Sequence, residues 1–159
     1  MPFTATIFQG PPTPSSLSEH PIFTWYARYA HDFDYAKTTT LPTRYYSSTA
    51  EIIHPDGSST TGARQIWDYY ITLYGQFERI SHDIISATAL TDDQNGSHTL
   101  IIEVLTSLYP KGGKNKVSLP QGFVYEIRKA ESGFGTDGLQ IRKLRCYFDK
   151  GLLQNAASS

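Results

Sequence analysis

Apolar residues at Ile22, Phe23, Tyr26, Ala27, Ala30 and Phe33 recur at spacings of three and four. That period predicts a helix from Ser18 to about Lys37, with Ser18 as N-cap, Glu19 in the first turn and Pro21 near the start. Thr38-Thr39-Thr40 and Pro42 end it, and Pro42 opens a second short helix reaching about Ser48. The pattern then changes. Residues 50–55 read as a short strand, Asp56-Gly57 as a two-residue turn, and residues 58–61 as the returning strand of a hairpin. Residues 63–75 are the clearest helix: Ile66, Trp67, Tyr70, Ile71 and Tyr74 share one face, and Gly75 follows as a stop. From there the period is two. Residues 78–90, 98–109, 116–129 and 139–149 read as four long strands joined by polar or Gly-rich turns.

Helix, helix, small hairpin, helix and four strands make an α+β fold. We expect a cone-shaped, curved antiparallel sheet with about three helices enclosing a pocket. Residues 18–152 form the single domain, between an irregular N-terminal arm (residues 1–17) and a flexible tail (residues 153–159). Pro2, Pro11, Pro12 and Pro14 exclude a regular helix in the arm, while Phe3, Ile7 and Phe8 need the body or a partner subunit to cover them.

Composition sharpens this picture. The 159 residues are 13% aromatic and only 18% charged, so rings exceed what a small core needs and suit a lined cavity or a buried interface. A net charge of -1 argues against a nucleic-acid partner. The longest apolar run, residues 100–105, is interrupted by Glu103 and too short to span a membrane. A lone cysteine allows no internal disulfide and points to a reducing compartment, so a cytoplasmic location is expected.

Three runs carry a family resemblance. AEIIHPDGSSTTG with ARQIWDYYITLYGQF (residues 50–77), LPQGFVYEIR (residues 119–128) and IRKLRCYFD (residues 141–149) resemble the SnoaL-like branch of the nuclear transport factor 2-like superfamily. The resemblance implies a pocketed cone, diverse functions and a homodimer through the outer sheet face. The last two runs are also similar to the limonene epoxide hydrolase branch, but its charged triad is missing. Arg145-Cys146 stands where that branch has Arg-Asp, and Glu103 is followed by Val104, Leu105 and Thr106.

Strand alternation supplies the candidate pocket residues. Ile80, His82 and Ile84, then Ile102, Val104 and Thr106, then Phe123 and Tyr125, then Leu144 and Cys146 face inward. His82 is a proton-transfer group or a hydrogen-bonded core histidine. His54, at the end of the first short strand, is weighed in the same way, and two inward histidines would make an acid–base pair. Tyr125 is a donor to a substrate oxygen or a satisfied core ring. Substrate contacts are expected from Tyr29, Trp67, Thr106, Phe123, Leu144 and Cys146. Asp34 can reach the mouth of the cone. Glu103 faces outward by parity, Asp149 depends on register, and Asp56 belongs to its turn. The histidine spacing fits no metal site, and no cofactor is expected.

The function these residues suggest is cofactor-free proton transfer on an apolar, oxygenated small molecule such as a polyketide or terpenoid intermediate. Isomerisation, cyclisation, dehydration and rearrangement all belong to that chemistry. The alternative is a non-catalytic ligand-binding or dimerisation module. An inward histidine and carboxylate would favour the enzyme, and their absence would favour the module.

Overall fold

The computed structural model describes residues 3–158. In chain order it contains β1 (Phe3–Gln9), α1 (Pro14–Ser18), α2 (Pro21–Tyr35), a 3-10 turn (Pro42–Arg44), β2 (Tyr46–Ile53) and β3 (Ser59–Thr61). There follow α3 (Ala63–Tyr74), β4 (Phe77–Asp92), β5 (Ser97–Pro110), β6 (Val117–Lys129), β7 (Leu139–Phe148) and α4 (Lys150–Ser158). All seven strands join one sheet in the order β1-β4-β5-β6-β7-β2-β3. This is the expected α+β architecture, with two additions to the antiparallel meander. The β2–β7 pair is parallel, and β1 adds an antiparallel edge strand against β4.

The long strands form for the expected reason. Along β5, Leu100, Ile102, Val104 and Thr106 are buried, while Ile101 and Glu103 between them are exposed. β6 repeats this with Leu119, Gln121, Phe123, Tyr125 and Ile127 inward. β4 carries a bulge. Ile84 pairs with Val104 and Ser86 with Glu103, so Ile85 is an extra residue. The extra residue reverses parity, leaving His82 and Ile84 inward before it and Ala87 and Ala89 inward after it.

Helix α2 crosses the inner face of the sheet on Ile22, Phe23, Trp25, Tyr26, Tyr29 and Phe33. Its N-cap is His20, whose Nδ1 accepts from the Ile22 amide at 3.1 Å; Ser18 instead ends α1. Helix α3 buries Ile66, Trp67, Tyr70 and Tyr74. The Asp56-Gly57 turn is present, with Gly57 at φ 83 and the Asp56 carboxylate accepting from the Ser58 amide.

Three expectations need correction. The arm is not irregular, because residues 3–9 pair with β4 and bury Phe8. The tail is not loose, because α4 tucks in Leu153 and Ala156 and takes Asp149 as an N-terminal cap through the Leu152 amide. The expected helix at 42–48 is one 3-10 turn, after which Tyr46 enters β2. Among the described residues no helix is long and apolar enough to cross a membrane.

Candidate active site

Between α2, α3 and the inner sheet face lies a cavity with about 510 Å³ of open space, mouth included. Its wall is mostly rings: Tyr26, Tyr29 and Phe33 from α2, Tyr70 and Tyr74 from α3, and Phe123 and Tyr125 from β6. Its charged groups are Asp34 and His82, and among the described residues no Lys or Arg lines it.

Asp34 sits one residue past Phe33 on the last turn of α2, and His82 is on the inward face of β4 before the bulge. Their side chains are 16% and 17% exposed, His82 and Asp34 respectively, and Nδ1 of the histidine lies 3.0 Å from Oδ1 of the aspartate. The Phe33 and Tyr74 rings stand about the imidazole at 6.2 and 6.0 Å between centroids. A carboxylate accepts only, so this contact places a proton on Nδ1 and leaves Nε2 as the basic position of neutral His82.

The tyrosines form two groups. Tyr29 shares a 2.8 Å hydrogen bond with Tyr46, Tyr70 meets the Cys146 sulfur at 3.4 Å, and Tyr74 accepts from Gln121 at 3.4 Å. Those hydroxyls are engaged by a layer behind the cavity wall. Tyr26 and Tyr125 instead face each other, with ring centroids 5.4 Å apart. Burial pushes the Tyr125 hydroxyl well above its ordinary value of 10.0 and Tyr26 up to about 12. Both hydroxyls therefore keep their protons and can donate.

Of the expected site residues, the structure brings His82, Tyr125, Tyr29 and Phe123 to this cavity. Five others lie elsewhere. His54 is buried at the β2–β3 hairpin, where Nε2 bonds the Thr60 hydroxyl at 2.8 Å and the ring packs on Tyr69 at 4.4 Å. It lines no part of the cavity, so the expected two-histidine pair does not form. Trp67 is inward but donates its indole proton to the Lys37 carbonyl at 2.7 Å, which makes it a strut between α3 and the end of α2. Thr106, Leu144 and Cys146 are buried on the inward face as alternation requires, yet none of them lines the open space, and Cys146 instead meets the hydroxyl of the lining residue Tyr70. Thr106 donates to Gln121, which in turn holds Tyr74. Burial drives the Cys146 thiol up to about 12, the opposite of nucleophile activation.

Glu103 is exposed on the outer face, accepting from Ser86, and Asp149 caps α4; neither faces the cavity. Asp34 as the partner of His82 is what strand alternation alone leaves out. The signal for it is indirect: Asp34 follows Phe33 at the mouth-facing end of an amphipathic helix. Among the described residues no three His, Cys, Asp or Glu side chains gather as a metal site would require.

No protein-family model matches the chain, and no curated protein sequence does. Solved structures do. Aln2 from a Streptomyces species aligns at TM-score 0.67 with 17% identity, over 91% of this chain and 98% of its own. A candidate dehydratase of the NTF2-like family from Streptomyces avermitilis gives TM-score 0.67 and 10% identity, over 87% of this chain and 99% of its own. A candidate scytalone dehydratase from Novosphingobium aromaticivorans gives 0.65 and 12%, over 85% and 86%. Identities this low speak to backbone architecture alone. With helices closing one face of a curved sheet and near-complete overlap with these proteins, the chain has the nuclear transport factor 2-like fold.

Proposed function

We propose that the protein is a cofactor-independent enzyme that moves a proton on a small, oxygen-bearing ring compound of polyketide or terpenoid type. His82 is the acid–base group, Asp34 its orienting carboxylate, and Tyr125 the donor to the substrate oxygen. The observation that carries this reading is the 3.0 Å Asp34–His82 contact opening onto a ring-walled cavity. A non-catalytic binding module has no need of a paired acid and base at its mouth. The dehydratase assignments of the Streptomyces avermitilis and Novosphingobium aromaticivorans proteins point to the same class of chemistry.

The chemistry follows from the groups present. With its Nδ1 proton held by Asp34, His82 takes a proton from the carbon next to a ketone through Nε2. Negative charge develops on the ketone oxygen, where the Tyr125 hydroxyl donates. Tyr26 lies beside it as a second donor. The Nε2 proton then passes to a departing β-hydroxyl, giving water and an enone, or to a second carbon, giving an isomer. The ring wall excludes bulk water and fixes the substrate against the dyad.

The test uses 3-hydroxy-1-tetralone, which loses water to become fluorescent 1-naphthol. Wild type is expected to accelerate this loss. His82→Ala lowers the rate at least about 100-fold, and Asp34→Asn lowers it by a smaller factor through the wrong tautomer. Equal rates in wild type and His82→Ala would overturn the proposal.

A further inference from the structure

We infer that Tyr74 is a further substrate-binding residue, aimed by the buried Thr106–Gln121 pair, and that it holds a second substrate oxygen, the departing hydroxyl. The inference rests on the proposed use of this cavity, but its test does not require turnover.

The register sets the parts in a row. His82 on β4 lies opposite Thr106 on β5. Thr106 reaches diagonally to Gln121 on β6, past its own register partner Leu119. Tyr74, on the last turn of α3, meets both ends of this row. Its ring stands at right angles to the His82 ring, 6.0 Å between centroids, and its hydroxyl lies 3.4 Å from Gln121 Nε2. Tyr125 is on the same inward side of β6 as Gln121, with Phe123 between them. Tyr74 and Tyr125 therefore bring separate hydroxyls to one cavity, and Tyr74 is the one whose ring contacts the dyad histidine.

The direction of the hydrogen bonds can be derived. Thr106 Oγ1 and Gln121 Oε1 are 2.5 Å apart, a spacing that O–H···O bonds reach and N–H···O bonds do not. The Gln121 amide oxygen thus faces Thr106, and its nitrogen faces Tyr74. An amide nitrogen only donates, so Tyr74 accepts here and keeps its own proton. Gln121 is the one hydrogen-bond partner of this hydroxyl among the described residues. Burial raises the Tyr74 pKa above its ordinary 10.0, so the proton stays on oxygen at neutral pH. Tyr29 and Tyr70 differ: their partners are Tyr46 and Cys146, and in those contacts either side can be the donor. Tyr74 is held from behind as an acceptor, which leaves its proton for a ligand.

Thr106 is fully buried and Gln121 nearly so. Burying a hydroxyl and an amide costs free energy that their hydrogen bonds only offset. Apolar side chains would fill the same space without that cost, so packing gives no reason for the pair. Its effect is to fix where the Tyr74 proton points. In the proposed reaction the C–O bond to the β-hydroxyl breaks with its electron pair on oxygen, which takes the Nε2 proton of His82 and leaves as water. Tyr74, beside His82, donates a hydrogen bond to that same oxygen as charge develops on it, without giving up its proton. The matching ligand is a β-hydroxyketone, with its ketone toward Tyr125 and its hydroxyl toward Tyr74.

The test is titration calorimetry of the full chain carrying His82→Ala, which binds 3-hydroxy-1-tetralone without consuming it. The 3-hydroxyl should tighten binding about fivefold over 1-tetralone. Adding Tyr74→Phe should abolish that gain while 1-tetralone binding stays within twofold. Gln121→Met, similar in length but with nothing to donate, should reduce the gain in the same way, and it serves should Tyr74→Phe fold poorly. No gain from the 3-hydroxyl, or a gain unchanged in either folded variant, would overturn the inference. A gain that needs Tyr74, in a protein whose wild type does not dehydrate 3-hydroxy-1-tetralone, leaves Tyr74 as a binding residue and sinks only the enzyme. Turnover by wild type with no Tyr74-dependent gain does the reverse.

Discussion

His54 and His82 illustrate how one residue type takes two roles through its neighbours. Both are turned inward, His82 on β4 and His54 just beyond the end of β2. His82 meets a carboxylate and an open cavity. His54 meets a threonine hydroxyl and a tyrosine ring, and among the described residues its buried Nδ1 has no hydrogen-bond partner. Burial lowers the His54 pKa from its ordinary 6.5, partly offset by Asp56, so the folded protein keeps this ring neutral. Its contribution is packing and one hydrogen bond. His54→Ala should therefore cost about 1–3 kcal/mol of stability in a urea titration while tetralone turnover stays within twofold. A 100-fold loss of turnover at unchanged stability would return His54 to the reaction. The same contrast explains why one dyad member is hard to read from the residues. Asp34 and His82 are 48 positions apart on a helix and a strand, so no sequence spacing pairs them.

At the scale of elements, the N-terminus of α2 is held by a relay whose direction can be derived. The Ile22 amide donates to His20 Nδ1, so neutral His20 carries its proton on Nε2, 3.1 Å from the Thr91 hydroxyl. Thr91 keeps its own proton free to donate to His98 Nδ1, 2.9 Å away. The helix cap thus needs a neutral His20, and His98 accepts from Thr91 only while its ring is neutral. Burial lowers both from 6.5, with Asp93 opposing the shift at His20 and His20 adding to it at His98. The sign follows from proton counts. Below pH 6.5 the unfolded chain takes up protons that native His20, His54 and His98 refuse. Stability is therefore full above pH 6.5 and falls as the pH drops below it. Asp56 and Glu131, whose pKa values are lowered by hydrogen bonds from Lys150 and Ser48 respectively, stay ionised in both states down to about pH 5 and leave that window to the histidines. The thermal midpoint should fall from pH 7.5 to pH 5.0, and His98→Gln should reduce the fall; a midpoint independent of pH would contradict the relay. Elements with a long period were legible in sequence: α2, α3 and β4 to β7 all lie where apolar spacing put them. Those fixed by distant partners were not. β1 is a strand because β4 supplies its hydrogen bonds, and prolines nearby hide it. β2 starts early because β7 pairs with it in parallel, and α4 is set by contacts with the sheet.

At the scale of the whole molecule, the curved sheet has two unequal faces, and the outer one bears on assembly. Register places Ile7 opposite Thr88, Thr88 opposite Ile101, and Ile101 opposite Val124, so one row of the outer face runs across β1, β4, β5 and β6. The next row brings Glu103, Gly122 and Tyr147 together, with the bulge residue Ile85 beside it. Ile7 is 55% exposed and Tyr147 57%, and Ile85 and Ile101 are exposed between them. Around this apolar centre Glu126 pairs with Arg145 and Glu51 with Lys143, while Glu103 within it accepts from the Ser86 hydroxyl. An apolar middle with a satisfied polar border is the composition of an interface core and rim. We propose a second copy of this chain as its occupant. Turned by a two-fold axis, the same face would meet itself, apolar row on apolar row, with the Glu103 carboxylate kept in its hydrogen bond from Ser86. Sedimentation equilibrium should accordingly give twice the chain mass of 17.8 kDa. Ile101→Lys sets two like charges near the axis in each pair of subunits, and should shift the protein to the monomer without changing its fold by circular dichroism. A monomer at micromolar wild-type protein, or a dimer indifferent to both Ile101→Lys and Tyr147→Lys, would mean that another surface pairs or that none does. The cavity opens on the opposite face of the sheet, between α2 and α3, so this pairing would leave its mouth free. Tetralone turnover per chain should then be the same in the dimer and in the Ile101→Lys monomer.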